Sequence, residues 1–245
     1  MDAVQVSLLC FVGLGAGFVQ RVSGFGLCIF AMLFLPYLMP SYTSAVAVSG
    51  LFSCFIAGYN AIKYRINIPF KTVIPQIISA LVVIPFAVYF SVLVPKDIFK
   101  ILLGVILIVL SIYFLLFNKR VRIKASAKNG VISGVLGGGL GGLFSTGGPP
   151  IVLYITHATK ENLSYFAALQ FYFVVTDIYA TGMRAINGII TLELLGYAAL
   201  GLIGCLAGDF IGKFVFDKLD AVKLKYVIYI GMIISGIIMI VNFGV

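Results

Sequence analysis

The chain has 245 residues, 62% hydrophobic and only 10% charged, and a mean hydropathy of +1.15. A soluble domain cannot hide that much apolar surface, so the composition predicts a polytopic membrane protein with nearly every residue used in spans. The net charge of +9 would suit nucleic acid, but most of the basic residues sit in short loops between apolar runs, where orientation in a bilayer explains them and no nucleic-acid partner is expected.

Asp2 opens the chain and no basic segment precedes the first apolar run, so a cleaved leader is not expected. Residues 4–19 predict a short apolar helix, interrupted at Gln20-Arg21-Val22-Ser23-Gly24-Phe25-Gly26, after which residues 27–38 return to a polar Pro40-Ser41. Residues 43–62 are long enough to span at about 1.5 Å per residue. Residues 69–93 span next, with Pro75 and Pro85 predicting kinks, and residues 98–117 span back after a turn at Pro95-Lys96-Asp97. The stretch 118–128, NKRVRIKASAK, is the one markedly polar linker, read as a cytoplasmic basic connection between a first repeat at 1–117 and a second at 129–245.

The second half opens with GVISGVLGGGLGGLFSTGGPPIVLYITH, residues 130–157, a small-residue run broken at Ser145-Thr146-Gly147-Gly148-Pro149-Pro150. Glycine is floppy there and each proline lacks an N–H and clashes with the preceding turn, so two helical pieces meeting at a break are predicted. Residues 163–183, 189–211 and 222–243 complete the plan. Each half thus reads as one broken segment and three full spans, an all-α architecture of two structurally repeated halves.

Charge decides how the broken segments sit. If each folds back as a re-entrant hairpin, loops 63–71, 118–128, 157–162 and 212–225 share one side and collect thirteen Lys/Arg, against Lys96, Lys100 and Arg184 opposite. If each crosses once, the contrast nearly vanishes. The bias of basic residues toward the inner side of short loops favours hairpins, both termini outside, and a second half inverted relative to the first.

Broken backbone is tolerated at membrane depth only where it is buried in protein or lines a wet cavity, and paired interruptions in two halves point to a transporter's substrate site. The alternative is that the glycines serve close helix packing. In the second break Ser145 or Thr146 is placed to cap the helix that Pro149 opens, leaving the Gly147 and Gly148 N–H groups free for an anion. The first break offers Ser23, Gly24 and Gly26, with Gln20 and Arg21 beside them. Arg21 either grips an oxyanion with its planar fork or pairs with an acid or helix-end carbonyls for assembly. Asp177 lies inside a span, as a proton carrier or a structural hydrogen-bonding residue near the outer end. Asp209 and Lys213 predict an i,i+4 pair, and Gly204, Gly208 and Gly212 a helix contact face. Ser49, Ser53 and Asn60 share an approximate face toward the cavity. Cys10, Cys28, Cys54 and Cys205 are scattered singly, without metal-ligand spacing, so no metal or other cofactor is expected.

With its two Gly-rich regions, GLGAGFVQRVSGFG with a downstream Pro36 and GVLGGGLGGLFSTGGPPIVLYI, and its repeated plan of apolar segments, the chain resembles the TauE/SafE family of membrane permeases, also called sulfite exporters. The resemblance implies transport of sulfite, sulfonates or other small organic anions, often linked to protons. Carried over by position, it puts Gln20, Ser23, Gly24, Gly26, Thr146, Gly147, Gly148 and Pro149 in the site region. The first half departs from the family's common triple glycine, having Ser23-Gly24-Phe25-Gly26 instead. A secondary transporter in the cytoplasmic membrane of a bacterium or archaeon is the leading expectation, with a small anion and the bilayer as partners and homodimerisation open. A passive anion channel shares these features. A membrane enzyme acting on lipid lacks support, with one histidine, no HExxH and no close carboxylate pair within a span.

Overall fold

The computed structural model describes residues 3–93, 96–117 and 124–216, with helical positions at 230, 233, 234, 236, 237, 240 and 241. Among the described residues the fold is helical throughout: α1 (Ala3–Ser23), α2 (Leu27–Ala31), α3 (Leu35–Leu38), α4 (Tyr42–Lys63), α5 (Phe70–Leu93), α6 (Lys96–Phe117), α7 (Ala127–Phe144), α8 (Gly148–Ala158), α9 (Asn162–Ile186) and α10 (Leu192–Phe216). The expected segment 222–243 and linker positions 118–123 lie largely or wholly outside the described residues. Among the described residues five helices, α1, α4, α5, α9 and α10, are long and apolar enough to cross a membrane. Large apolar side chains such as Phe11, Phe55, Phe86 and Phe210 stand exposed on the outside of the bundle, as hydrocarbon surroundings permit.

Two glycine seams hold the bundle together. A methyl group at Gly17 would stand 2.0 Å from the Cys205 carbonyl oxygen, one at Gly204 2.0 Å from that of Cys10, and one at Gly208 2.0 Å from that of Leu14. Backbones therefore touch along α1 and α10, and rising numbers on both show that the two helices run parallel. The α5–α7 seam is built alike: Gly134 lies against Gln76 and Ser79, Gly138 against Ala80, and Gly142 against Ile84 and Ala87. Between the seams α4 and α9 pack antiparallel. Tyr64, just past the end of α4, meets Phe166 near the start of α9, whereas Gly50 near the start of α4 meets Arg184 near the end of α9.

The same contacts show that both breaks are hairpin tips. Arg21 at the end of α1 bonds Asn60 and Tyr64 at the end of α4, so α1 and α4 run the same way and α2–α3 must carry the chain back. Arg184 at the end of α9 bonds Gly141 and Gly142 at the end of α7, so α8 is likewise a return limb.

Several local expectations need correction. The first helix does not stop at Val19 but runs through Gln20 and Arg21 to Ser23, because both long polar side chains favour helix and find partners off it. Residues 27–38, the return limb, are split into two short helices. Pro36 cannot donate to the turn before it, and the linking turn tightens through Leu33 N–H to Phe30 O at 3.1 Å and Phe34 N–H to Ala31 O at 3.1 Å. Arg184 is buried, not an outer-loop charge.

Candidate functional site

The first hairpin tip needs glycine. Gly24 has φ +79° and Gly26 φ +98°, a left-handed backbone that side chains resist. Ser23 Oγ donates into this turn, to the carbonyls of Val19 and Phe25. Two glutamines then fasten it: Gln20 Nε2 donates to Gln170 Oε1 at 3.1 Å, Gln170 Nε2 donates to Gly24 O at 2.9 Å, and the Leu27 N–H donates to Gln20 Oε1 at 3.3 Å. Gln170→Leu leaves a buried donor and a buried acceptor unmet and is expected to lower stability by about 1–3 kcal/mol. A thermal unfolding midpoint equal to the wild type in detergent would refute that fastening.

The second tip is built differently from the expected cap. Ser145 sits at φ 54° as the last residue of α7's turn, its N–H on Gly141 O at 2.9 Å and its Oγ donating to Val46 O at 3.0 Å. Gly147 occupies the N-cap of α8 and no side chain caps that helix, so neither Ser145 nor Thr146 does so. The reason is the close packing of the turn: a methyl group at Gly147 would lie 2.2 Å from Gly137 O, which holds the chain against α7 and points Ser145 at α4 instead. Pro149 and Pro150 have no N–H, and among the described residues the Gly147 and Gly148 N–H groups have no acceptor. Thr146 Oγ1, 2% exposed as a residue, also has no hydrogen-bond partner.

The two tips meet. A methyl group at Gly148 would lie 3.3 Å from the Phe25 ring and 3.4 Å from that of Phe173. Beside this contact is a cavity of mainly apolar lining, walled by both tips, with polar groups from Ser53 of α4 and from Tyr172, Thr176 and Asp177 of α9. Its free space holds about two waters. Tyr172 OH and Asp177 Oδ2 are buried there without partners, and Ser53 lies in the same wall as Asp177.

Of the residues singled out from sequence, Gln20, Gly26, Ser145, Thr146, Gly147, Gly148 and Asp177 reach this wall, while Arg21, Ser23, Gly24 and Pro149 do not line it. Arg21 turns away. Its Nη1 donates to Asn60 Oδ1 at 2.9 Å and its Nη2 to Tyr64 OH at 2.6 Å, with the Tyr64 and Phe166 rings 5.3 and 5.2 Å from its guanidinium carbon. Asn60 Nδ2 donates on to Asp209 Oδ1 at 3.0 Å, so Asp209 answers α4 and, through Asn60, Arg21, rather than Lys213 on its own helix. The partners of Gln170 and Arg184, neither of which lines the cavity, were not legible from the sequence. Gln170 lies 150 positions from its partner Gln20, and Arg184 stands beside a loop in the sequence although it is 1% exposed.

Two helical hairpins whose interrupted tips meet at a cavity, set among helices long and apolar enough to cross a membrane, mark the chain as a multi-pass membrane protein. A family model described as Sulfite exporter TauE/SafE matches residues 9–239, and the chain belongs to that family of membrane transporters. It is a multi-pass membrane protein. No curated protein and no solved structure matches it.

Proposed function

We propose that the chain is a secondary transporter that moves a small oxyanion, such as sulfite or a sulfonate, across the cytoplasmic membrane by alternating access. The observation that carries this reading is the meeting of the two tips at a cavity where the Gly147 and Gly148 N–H groups and the Thr146 and Tyr172 hydroxyls await an acceptor. Unpaired donors at the start of a helix favour negative charge. The paired seams support inverted halves: α1 lies on α10 as α7 lies on α5, the two pairs point oppositely, and α4 crosses α9 between them. With Arg184 buried, the short-loop charge contrast strengthens, and the 63–71 side faces the cytoplasm. The cavity has room for about two waters, less than an oxyanion needs, so loading requires the hairpins to part.

Asp177 is the proton carrier in this reading: it is a buried carboxyl in the cavity wall whose Oδ2 meets no donor, placed to take up a proton when a second negative charge arrives beside it. The test is uptake of sulfite and methanesulfonate into proteoliposomes under an imposed pH gradient. Wild-type protein is expected to accumulate one of them uphill; a passive channel would give downhill flux alone. Asp177→Asn should lose gradient-driven accumulation at least tenfold yet still exchange anion for anion. Undiminished uphill uptake by the folded variant would end the role of Asp177.

A further inference from the structure

Resting on the anion-transport reading, the geometry points to Arg184 as the cation that holds the transported oxyanion, with Asp177 as its resident counter-charge, so that each monoanion enters with one proton. Arg184 is 1% exposed, and a guanidinium at that depth is costly unless it answers a charge. Nη2 is committed, donating to Gly141 O at 3.0 Å and Gly142 O at 3.1 Å in the last turn of α7. Nη1 has no hydrogen-bond partner. A methyl group at Gly50 would lie 2.8 Å from Nη1 and 3.1 Å from Ser145 Oγ. The missing side chain at Gly50 is therefore what admits the guanidinium beside the second tip.

Asp177, Ala180 and Arg184 share one face of α9, and the first two line the cavity. Long side chains on a helix lean toward its N-terminus, which brings Arg184 back toward Asp177. The two interact electrostatically, yet Asp177 Oδ2 and Arg184 Nη1 are each left without a bond. An oxyanion between them takes the free Nη1 donor, with Thr146 and Tyr172 supplying uncharged hydroxyls.

The charges then fix the stoichiometry. The other titratable groups facing Asp177 are the thiols of Cys28 on α2 and Cys54 on α4 and the Tyr172 phenol on α9, none of them ordinarily charged near pH 7. Toward the cavity α5 presents Ile84 and α7 presents glycines, while α8 presents Gly148. The empty site is thus neutral, Asp177 in the cavity wall balanced by Arg184 behind it. A monoanion would leave it negative in a nearly dry site, and a proton on Asp177 restores balance, making transport electroneutral.

The experiment is calorimetric titration of the full-length chain in detergent with methanesulfonate and with sulfite, in buffers of different protonation enthalpy and at several pH values. The wild type is expected to take up about one more proton per bound anion than Asp177→Asn, by the charge balance above, and Asp177→Asn should lose the wild type's weakening as pH rises. The anion's own titration is common to both proteins and drops out of the difference. Arg184→Gln should bind at least tenfold more weakly, and Thr146→Val with Tyr172→Phe several-fold more weakly. Unchanged affinity in folded Arg184→Gln overturns the assignment. Should Arg184→Gln fail to fold, Asp177→Asn decides: proton uptake and pH dependence equal to the wild type overturn it as well. Failure of the wild type to bind either anion overturns the transport reading itself, whatever the variants do.

Discussion

Gly148→Leu is expected to cut anion uptake at least a hundredfold while leaving a folded protein. Its Cβ would meet the edges of Phe25 and Phe173 at 3.3 and 3.4 Å, so the rings need move only a few tenths of an ångström. The remaining carbons then have one place to go, a cavity with room for about two waters. They fill the space an oxyanion would take and cover the Gly147 and Gly148 N–H groups. Initial rates in proteoliposomes, alongside size-exclusion profiles, measure this; a folded variant transporting at the wild-type rate would remove the cavity from the mechanism. Gly148→Ala, which adds only the tolerated carbon, should lose far less.

Gly208→Val should abolish folding. The added Cβ would lie 2.0 Å from Leu14 O and 2.8 Å from Leu14 C. Both are main-chain atoms, which cannot rotate aside as a side chain does. The α1–α10 seam would have to open along its length, losing the contacts of Gly17 and Gly204 as well. Overpacking a close contact costs about 1–3 kcal/mol even where side chains relax, and here the cost exceeds that, against a typical total stability of about 5–15 kcal/mol. The yield of monodisperse protein and its unfolding midpoint report the effect. Gly196→Val is the control on the same helix, since nothing lies within 4 Å of a methyl group there. Equal loss in both would show that the seam is not the cause.

What could be read from the residues alone was the backbone. Gly24 and Gly26 on one side and Gly147-Gly148-Pro149-Pro150 on the other mark chain that cannot stay helical, and the structure breaks at both. The glycines at 204, 208 and 212 announced a contact face by their spacing, and that face is a seam. Side-chain partnership was much less visible. Arg21 adjoins a break in sequence, which left a ligand and an assembly partner both open, and its partners are Asn60 and Tyr64. Arg184 adjoins a loop and reaches inward to α7. Asp209 lies four residues from Lys213 but 149 from the amide it accepts from. Helical spacing reports neighbours on one helix, and these choices are made between helices. Ser145 failed as a cap for the same reason: the close approach of Gly147 to Gly137 turned it toward α4.

The seam between α1 and α10 also constrains how the protein is made. The residues it joins lie some 190 positions apart, as Cys10 and Leu200 show, so at ordinary synthesis rates the first helix is inserted roughly 10–40 s before its mate leaves the ribosome. Throughout that interval a groove of bare glycine backbone stands open to lipid. Nascent chains halted before α10 should accordingly be ready prey for membrane proteases or for stray helices with a small-residue stripe, and the first half expressed by itself should not persist.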